Sequence, residues 1–147
     1  MKEAFASSFY SEYDGHREYH ENNAIDGKRY TTFASKGELN PWLQVEFKEI
    51  AVVTRVTIFN RFDCCWERTK NLQVRVGYTK FIKGVNTLHL TANVLCATYQ
   101  GPGTRGEEIA LDCKRPITGQ YVSVQLMQES TAALNFGEIQ ISGSPGT

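Results

Sequence analysis

Six segments of the chain alternate apolar and polar residues with a period of two, and this alternation constrains the fold more than any other feature. The segments are rich in β-branched and aromatic residues, and turn-forming residues such as Thr118-Gly119 separate them. No stretch of helical length has an apolar stripe with a period of about 3.6 residues. The pattern therefore predicts an all-β fold, an antiparallel β-sandwich, with strands over 42–47, 53–59, 72–78, 108–112, 121–126 and 136–141.

The length and composition indicate one domain over residues 1–147. A chain of 147 residues with 41% hydrophobic side chains can build a single core. The segment 8–35 differs from the rest because it is mostly polar and has no strand pattern. We expect this segment to form long loops over one end of the sandwich.

Charge and hydropathy argue against two classes of partner. Sixteen basic and sixteen acidic residues cancel to a net charge of zero, whereas a nucleic-acid-binding domain normally carries a basic excess that neutralises phosphates. No apolar stretch approaches the roughly 20 residues that span a bilayer, so we expect no direct membrane insertion. The first residues, Met1-Lys2-Glu3-Ala4, are not the start of a signal peptide as they stand.

Four cysteines allow three pairings, and none of them has the Cys-x-x-Cys spacing of a zinc or thioredoxin-like site. A bridge between Cys96 and Cys113 would be an ordinary loop-closing bridge of a secreted domain, worth about 3 kcal/mol. It would leave the neighbours Cys64 and Cys65 to pair with each other. The alternative is two reduced core thiols in a cytosolic protein.

The segment 60–68 lies between two predicted strands, so it is a loop at one end of the sandwich, where binding groups are common. It contains Arg61, Asp63 and Arg68 around the Cys64-Cys65 pair. Asp63 can hold both guanidinium groups while each keeps N–H donors for sugar hydroxyls. A disulfide between adjacent cysteines would add a flat apolar patch for the C–H edge of a pyranose. The simpler alternative is a surface salt-bridge loop with buried cysteines.

The motif Arg61-x-Asp63-x4-Arg68, with Cys64-Cys65 inside it, resembles the signature of the F-type lectins, or fucolectins. Other stretches resemble this family in the same order along the chain, namely 24–27, 40–46, 119–122 and 137–141. The resemblance implies a jelly-roll β-sandwich of about eight strands, of the galactose-binding-domain type and related to discoidin and coagulation factor C-type domains. The motif and these four stretches together extend the resemblance over almost the whole chain.

The resemblance also implies a function. The expected domain is extracellular and binds L-fucose at the ends of fucosylated glycans or glycoproteins, without catalysis. The implied sugar-binding residues are Arg61, Asp63, Arg68, Cys64 and Cys65, and Cys96 and Cys113 fall where the family has a second bridge. Because single lectin sites bind weakly, we expect a homo-oligomer or a tandem repeat to supply avidity.

The chain departs from the family pattern in two places. The family signature begins with a His upstream of the first Arg, and the position at that spacing here is Ala34. A missing hydrogen bond to a neutral group costs about 0.5–1.5 kcal/mol, so we expect weakened binding unless a substitute is supplied by Lys36, His16 or His20. A bridge from the His-bearing loop to the last strand is also absent, because its two positions correspond to Thr32 and Gly137.

A structural calcium ion is a further implication of the resemblance. Asp26 and Glu138 correspond to the family's two carboxylate ligands, and the remaining ligands would be the Asn23 and Lys28 carbonyls and the Thr31 hydroxyl. Calcium favours such hard oxygen ligands in irregular loops. The alternative is that Asp26 merely forms an Asx-turn before Gly27 and that Glu138 is a solvated strand residue.

Two other functions compete with the lectin. A discoidin-type adhesion domain that has lost fucose binding would contact protein or another glycan, and Ala34 keeps this alternative open. A glycosidase would need two carboxylates across a cleft, for which Asp63 and Glu67 are formal candidates. Neighbouring arginines would lower the pKa of Asp63, which does not suit an acid catalyst, so we expect no enzyme.

Several single residues also have an expected place. Trp42 and Phe33 are expected in the core or at its rim. Trp66 either packs beneath the binding loop or lines a subsite for a second sugar. No histidine has a metal-ligand spacing, so we expect surface positions for His16, His20 and His89.

Overall fold

The computed structural model describes residues 2–10, 18–83 and 92–146. These ranges contain no α-helix. Two short 3-10 helices, Glu21–Ile25 and Trp66–Arg68, lie wholly within them. The strands are β1 (Lys2–Ala6), β2 (Phe33–Ala34), β3 (Trp42–Phe59), β4 (Leu72–Gly77), β5 (Val94–Tyr99), β6 (Glu108–Leu126), β7 (Asn135–Phe136) and β8 (Glu138–Pro145). The prediction of an all-β jelly-roll sandwich is confirmed.

Two long strands organise the sandwich. The predicted strands 42–47 and 53–59 are two halves of β3, and 108–112 and 121–126 are two halves of β6. The first half of β3 pairs with β1 and with the second half of β6, which continues to β4 and β5. The second half of β3 pairs with β8 and with the first half of β6. Register shifts in the middle of β3 let each long strand bend from one layer to the other.

The core lies between these layers and consists mainly of aliphatic side chains from β3, β4, β6 and β8, including Leu43, Val45, Val56, Ile58, Val74, Val124 and Ile139. Although apolar and polar residues alternate along these strands, the face of the sheet opposite the core is not fully exposed to solvent. Gln44 and Gln125 are also fully buried. Gln44 Oε1 accepts from the Phe81 N–H at 2.7 Å, and Gln125 Nε2 donates to the Asn40 carbonyl at 2.6 Å. Loop residues therefore cover part of the second face.

Both proposed disulfides are present, and all four cysteines are paired. Cys96 on β5 is joined to Cys113 on β6, and Cys64 is joined to its neighbour Cys65. The alternative of reduced core thiols is therefore wrong.

The loop after β3 and the described residues of the segment 8–35 lie at one end of the sandwich. Within its described residues this segment contains only one 3-10 helix and the two-residue strand β2, which agrees with the expected long loops. β2 pairs with β7, and the Phe33 and Phe136 rings meet edge to face at 5.5 Å in the core. In the described part of the chain, no helix has the length and apolar character needed to cross a membrane.

Candidate functional site

A buried asparagine holds the loop that follows β3. Asn60 Nδ2 donates to the Trp66 carbonyl at 2.9 Å and to the Thr104 carbonyl at 3.0 Å. Asn60 Oδ1 accepts from the Arg61 N–H at 3.0 Å and from the Thr69 hydroxyl at 2.8 Å. Both ends of the loop are thus fixed to one side chain, which gives the loop a defined shape without regular secondary structure.

Arg61 and Asp63 form a two-point ion pair. Arg61 Nε donates to Asp63 Oδ1 at 3.0 Å, and Arg61 Nη2 donates to Oδ2 at 2.9 Å. The Arg61 side chain is only 6% exposed, whereas that of Asp63 is 61% exposed. The hydrogen bonds from Arg61 lower the pKa of Asp63 to about 2, as expected from its neighbours. The ion pair fixes the orientation of the buried Arg61 guanidinium. The remaining N–H groups of Arg61 are not bonded to Asp63.

Arg68 is placed differently from the expectation that Asp63 would hold both guanidinium groups. Within the described ranges Asp63 pairs with Arg61 alone, and the exposed Arg68 side chain forms no ion pair or hydrogen bond. The reason is local: Arg68 lies on the 3-10 helix Trp66–Arg68, which starts after Cys65 in the left-handed conformation (φ 63°). The Arg68 guanidinium remains available to a ligand.

These groups border one open cleft of about 700 Å³. Four of the five predicted sugar-binding residues line it, namely Arg61, Cys64, Cys65 and Arg68. Asp63 does not line the cleft, but it holds the Arg61 guanidinium in place. The cleft therefore combines the fixed guanidinium of Arg61 and the unpaired guanidinium of Arg68 with the surface of the Cys64–Cys65 disulfide.

Ala34 also lines the cleft, so the position of the missing histidine borders the same space. Of the suggested substitutes, neither His20 nor Lys36 is among the described residues that line the cleft, and His16 lies outside the described residues. His20 Nδ1 instead accepts from the Asn22 N–H at 3.1 Å, capping a 3-10 helix, and its ring packs against Phe9. With a side chain 13% exposed, His20 is not the surface residue that we expected. His89 also lies outside the described residues.

Other cleft residues were not identified from the sequence. They include Tyr10 and Tyr19 far upstream of the motif, Lys70 just after it, and Gln128 and Thr131 far downstream. None of them belongs to a local motif, so only their common position at one end of the sandwich reveals them. Trp66 does not line the cleft, because its ring faces the Arg105 guanidinium at 6.0 Å. Trp42 and Phe33 lie in the core as expected.

Four of the five residues proposed for calcium meet in one loop region. Asp26 Oδ1 accepts from the Lys28 N–H at 2.8 Å, and Asp26 Oδ2 accepts from the Thr31 hydroxyl at 2.6 Å. Glu138 Oε2 accepts from the Gly27 N–H at 3.2 Å. The fifth residue, Asn23, lies on the adjoining 3-10 helix, and its side-chain amide donates to the Thr32 carbonyl at 2.9 Å.

Glu138 is a buried carboxylate with an unsatisfied oxygen. It is 5% exposed, and its Oε1 has no hydrogen-bond partner. Burial, with the nearby Asp26 carboxylate, raises the pKa of Glu138 to about 7. Asp26 does form the Asx-turn, with its Oδ1 accepting from the Lys28 N–H, but Glu138 is buried and is not the solvated strand residue of the alternative. Two carboxylates, the Lys28 carbonyl and the Thr31 hydroxyl form a hard-oxygen donor set that fits a calcium ion.

Comparison with known proteins agrees with this geometry. The sequence model of the NedA-like, galactose-binding domain family (F5/F8 type C) matches residues 23–124. Fucolectin from Anguilla anguilla is 32% identical over 127 residues, which are 82% of this chain and 75% of the eel protein. The chain therefore belongs to the NedA-like galactose-binding domains and, within them, to the fucolectin or F-type lectin family.

Solved structures show the same fold. An F-lectin (fucolectin) from the serum of Morone saxatilis, the striped bass, superposes with a TM-score of 0.82 at 27% identity. The match covers 98% of this chain but 47% of the bass chain, so this domain is about half the length of that lectin. A Streptococcus pneumoniae fucose binding module has a TM-score of 0.70 over 97% of this chain and 91% of its own; at 22% identity it supports the fold alone.

Proposed function

We propose that residues 1–147 form one lectin domain that binds L-fucose and terminal fucosylated glycans. The supporting observation is the cleft in which buried Arg61, held by Asp63, and unpaired Arg68 adjoin the Cys64–Cys65 disulfide. The N–H groups of the Arg61 guanidinium, fixed by Asp63, and those of the unpaired Arg68 suit the ring oxygen and axial hydroxyls of a neutral sugar. The apolar disulfide suits its C–H face. The similarity to fucolectins favours fucose among neutral sugars.

The cleft does not favour catalysis. Asp63 has a pKa of about 2, so it is ionised at neutral pH and has no proton to give to a leaving group. Its bonds to Arg61 occupy both carboxylate oxygens, which also weakens it as a base. We therefore propose a binding domain and not a glycosidase.

Arg68→Ala tests the lectin proposal with little risk to folding, because this side chain is exposed and unpaired. Removing a charged hydrogen-bond donor costs about 1.5–3 kcal/mol, so we expect affinity for L-fucose to fall at least tenfold. Arg55→Ala is the matched control, since Arg55 forms a two-point pair with Asp112 and does not line the cleft. Titration calorimetry in the presence of calcium measures both variants and the unmodified protein.

Two results would count against the proposal. Equal binding by the Arg68→Ala and Arg55→Ala variants would mean that the sugar binds elsewhere. If the unmodified protein binds neither L-fucose nor any member of a fucosylated glycan panel, the discoidin-type adhesion alternative becomes the better explanation.

Three further features belong to this proposal. Calcium would be held by Asp26, Glu138, the Lys28 carbonyl and the Thr31 hydroxyl, with Asn23 adjoining, and would stabilise the loop region next to β8. An extracellular location suits the two disulfides, which persist in oxidising compartments. Clustering of several such domains, by a homo-oligomer or a tandem repeat, would supply the avidity that one site lacks.

A further inference from the structure

Two tyrosines flank Ala34 at the wall of the cleft. The Tyr10 N–H donates to the Ala34 carbonyl at 2.8 Å, and the Ala34 N–H donates to the Tyr19 carbonyl at 3.2 Å. All three residues line the cleft. Two backbone hydrogen bonds therefore hold both tyrosines next to the position where the family has a histidine and this chain has a methyl group.

The two rings form a supported pair. Their centroids are 5.5 Å apart, and the rings are almost perpendicular at 87°, the edge-to-face arrangement that aromatic pairs prefer. The Tyr19 ring also lies 5.9 Å from the Arg61 guanidinium carbon. Tyr19 thus connects Tyr10 to the guanidinium that anchors the sugar in the proposed function.

Tyr10 is the exposed member of the pair. Its side chain is 66% exposed, and it belongs to the cleft. An aromatic ring exposed beside polar sugar-binding groups offers a flat apolar surface in the place where a ligand would lie. A cleft of about 700 Å³ also has room for more than one pyranose ring.

We propose that Tyr10, positioned by Tyr19, is a stacking platform for the sugar ring that is linked to the bound fucose. The C–H groups on one face of a pyranose can pack against the Tyr10 ring while Arg61 and Arg68 hold the fucose. The preferred ligand is then a fucosylated oligosaccharide and not free fucose. This inference rests on the proposed lectin function.

The test compares two ligands, free L-fucose and the trisaccharide 2′-fucosyllactose, by titration calorimetry of the calcium-loaded protein. Tyr10→Ala is expected to lower the ratio of trisaccharide to L-fucose affinity by about three- to tenfold, the range of one aromatic contact. Tyr10→Phe keeps the ring and is expected to keep the ratio. Tyr78→Ala is the matched control, because Tyr78 is 60% exposed but does not line the cleft.

Each contrary result has its own meaning. An unchanged ratio in Tyr10→Ala overturns the platform. An equal fall for both ligands shows that Tyr10 contacts the fucose itself, and a fall in Tyr10→Phe as large as in Tyr10→Ala shows that the hydroxyl acts and not the ring. If the unmodified protein binds neither ligand, the lectin function itself is refuted. If the tyrosine variants still bind L-fucose normally, the result bears on the platform alone and not on the lectin function.

Discussion

Arg61–Asp63 and Arg55–Asp112 are ion pairs with the same two-point chemistry. The Arg55 pair is joined by hydrogen bonds of 2.6 and 3.3 Å, but its side chains are 49% and 66% exposed, whereas the Arg61 side chain is 6% exposed. Exposed pairs are screened by water and contribute little. Burial and the Asn60 scaffold, and not the pairing itself, therefore make Arg61 a pre-oriented donor.

At the residue scale, Ala34→His tests the effect of the departure from the family motif. The position lines the cleft, so an imidazole there can add one hydrogen bond to a sugar hydroxyl, worth about 0.5–1.5 kcal/mol. We expect affinity for L-fucose to rise about two- to tenfold by calorimetry. Ala34→Leu adds bulk without a polar group and is expected to weaken binding. Equal losses in both variants would show that the position tolerates only a small side chain.

At the scale of elements, the long strands explain how the site is positioned. β3 ends at Phe59, and the binding loop begins at Asn60, directly beyond the strand. The neighbouring β8 starts at Glu138, which pairs with Phe59. The loop proposed to bind sugar and the proposed calcium ligand therefore start from paired ends of adjacent strands, and a shift in β3 would move both.

The two disulfides are expected to have separate roles. Cys96–Cys113 joins β5 to β6 across a sequence separation of 17 residues, so its replacement by serines should lower the free energy of unfolding by about 3 kcal/mol. It lies outside the cleft, and L-fucose affinity should change less than twofold. Cys64–Cys65 joins adjacent residues and closes no long loop. Its replacement by serines should weaken fucose binding while urea denaturation shows little change.

Measuring both double variants by urea denaturation and calorimetry separates these roles. Loss of fucose binding in the folded Cys96/Cys113 variant would contradict the assignment. So would full affinity in the Cys64/Cys65 variant, because the disulfide surface would then make no contact with the sugar.

At the scale of the whole molecule, the loop region around Asp26 connects the N-terminal segment to the last strand. Gly137 precedes Glu138, and a Cβ at Gly137 would lie 2.8 Å from the Arg29 carbonyl oxygen. The backbones thus approach closely where the family has its bridge, and a side chain at Gly137 would force them apart. Close packing, and calcium if it binds as proposed, would take the place of a covalent link between these segments.

Stability without calcium should depend on pH through Glu138. Its pKa is about 7 in the folded protein and 4.5 ordinarily, so between these values the folded state keeps a proton that the unfolded state has lost. The free energy of unfolding should therefore fall, by about 2 kcal/mol, as the pH rises from 4.5 to 7 in EDTA. Calcium would favour the ionised carboxylate and should raise the Tm most above pH 7.

Glu138→Gln keeps the shape of the side chain without its titration. This variant should lose both the fall in stability and the response to calcium in thermal denaturation at several pH values. A calcium response that survives in Glu138→Gln, or no response in the unmodified protein at pH 8, would refute the proposed ion site.

Much of the fold and the central motif could be predicted from the sequence because their signals are local. Alternation reports the direction of each side chain from a strand, so the positions of β3, β4, β6 and β8 are visible in the pattern. The group Arg61, Asp63, Cys64, Cys65 and Arg68 lies within eight residues, and one loop had to bring it together. Alternation could not show that Gln44 is covered, because the residues that cover it come from a distant loop.

Only the tertiary structure decided how distant residues combine. Asp63 pairs with Arg61 and not with Arg68, which lies on the 3-10 helix after Cys65. Tyr10 and Tyr19 reach the cleft because their backbones bond to Ala34, and no sequence spacing records that contact. By itself the sequence determined the main strands β3, β4, β6 and β8, the disulfide candidates and the motif, but it did not show β1, β2 or β5. Long-range packing decided burial, ion-pair partners and the cleft wall, since these depend on which segments meet after folding.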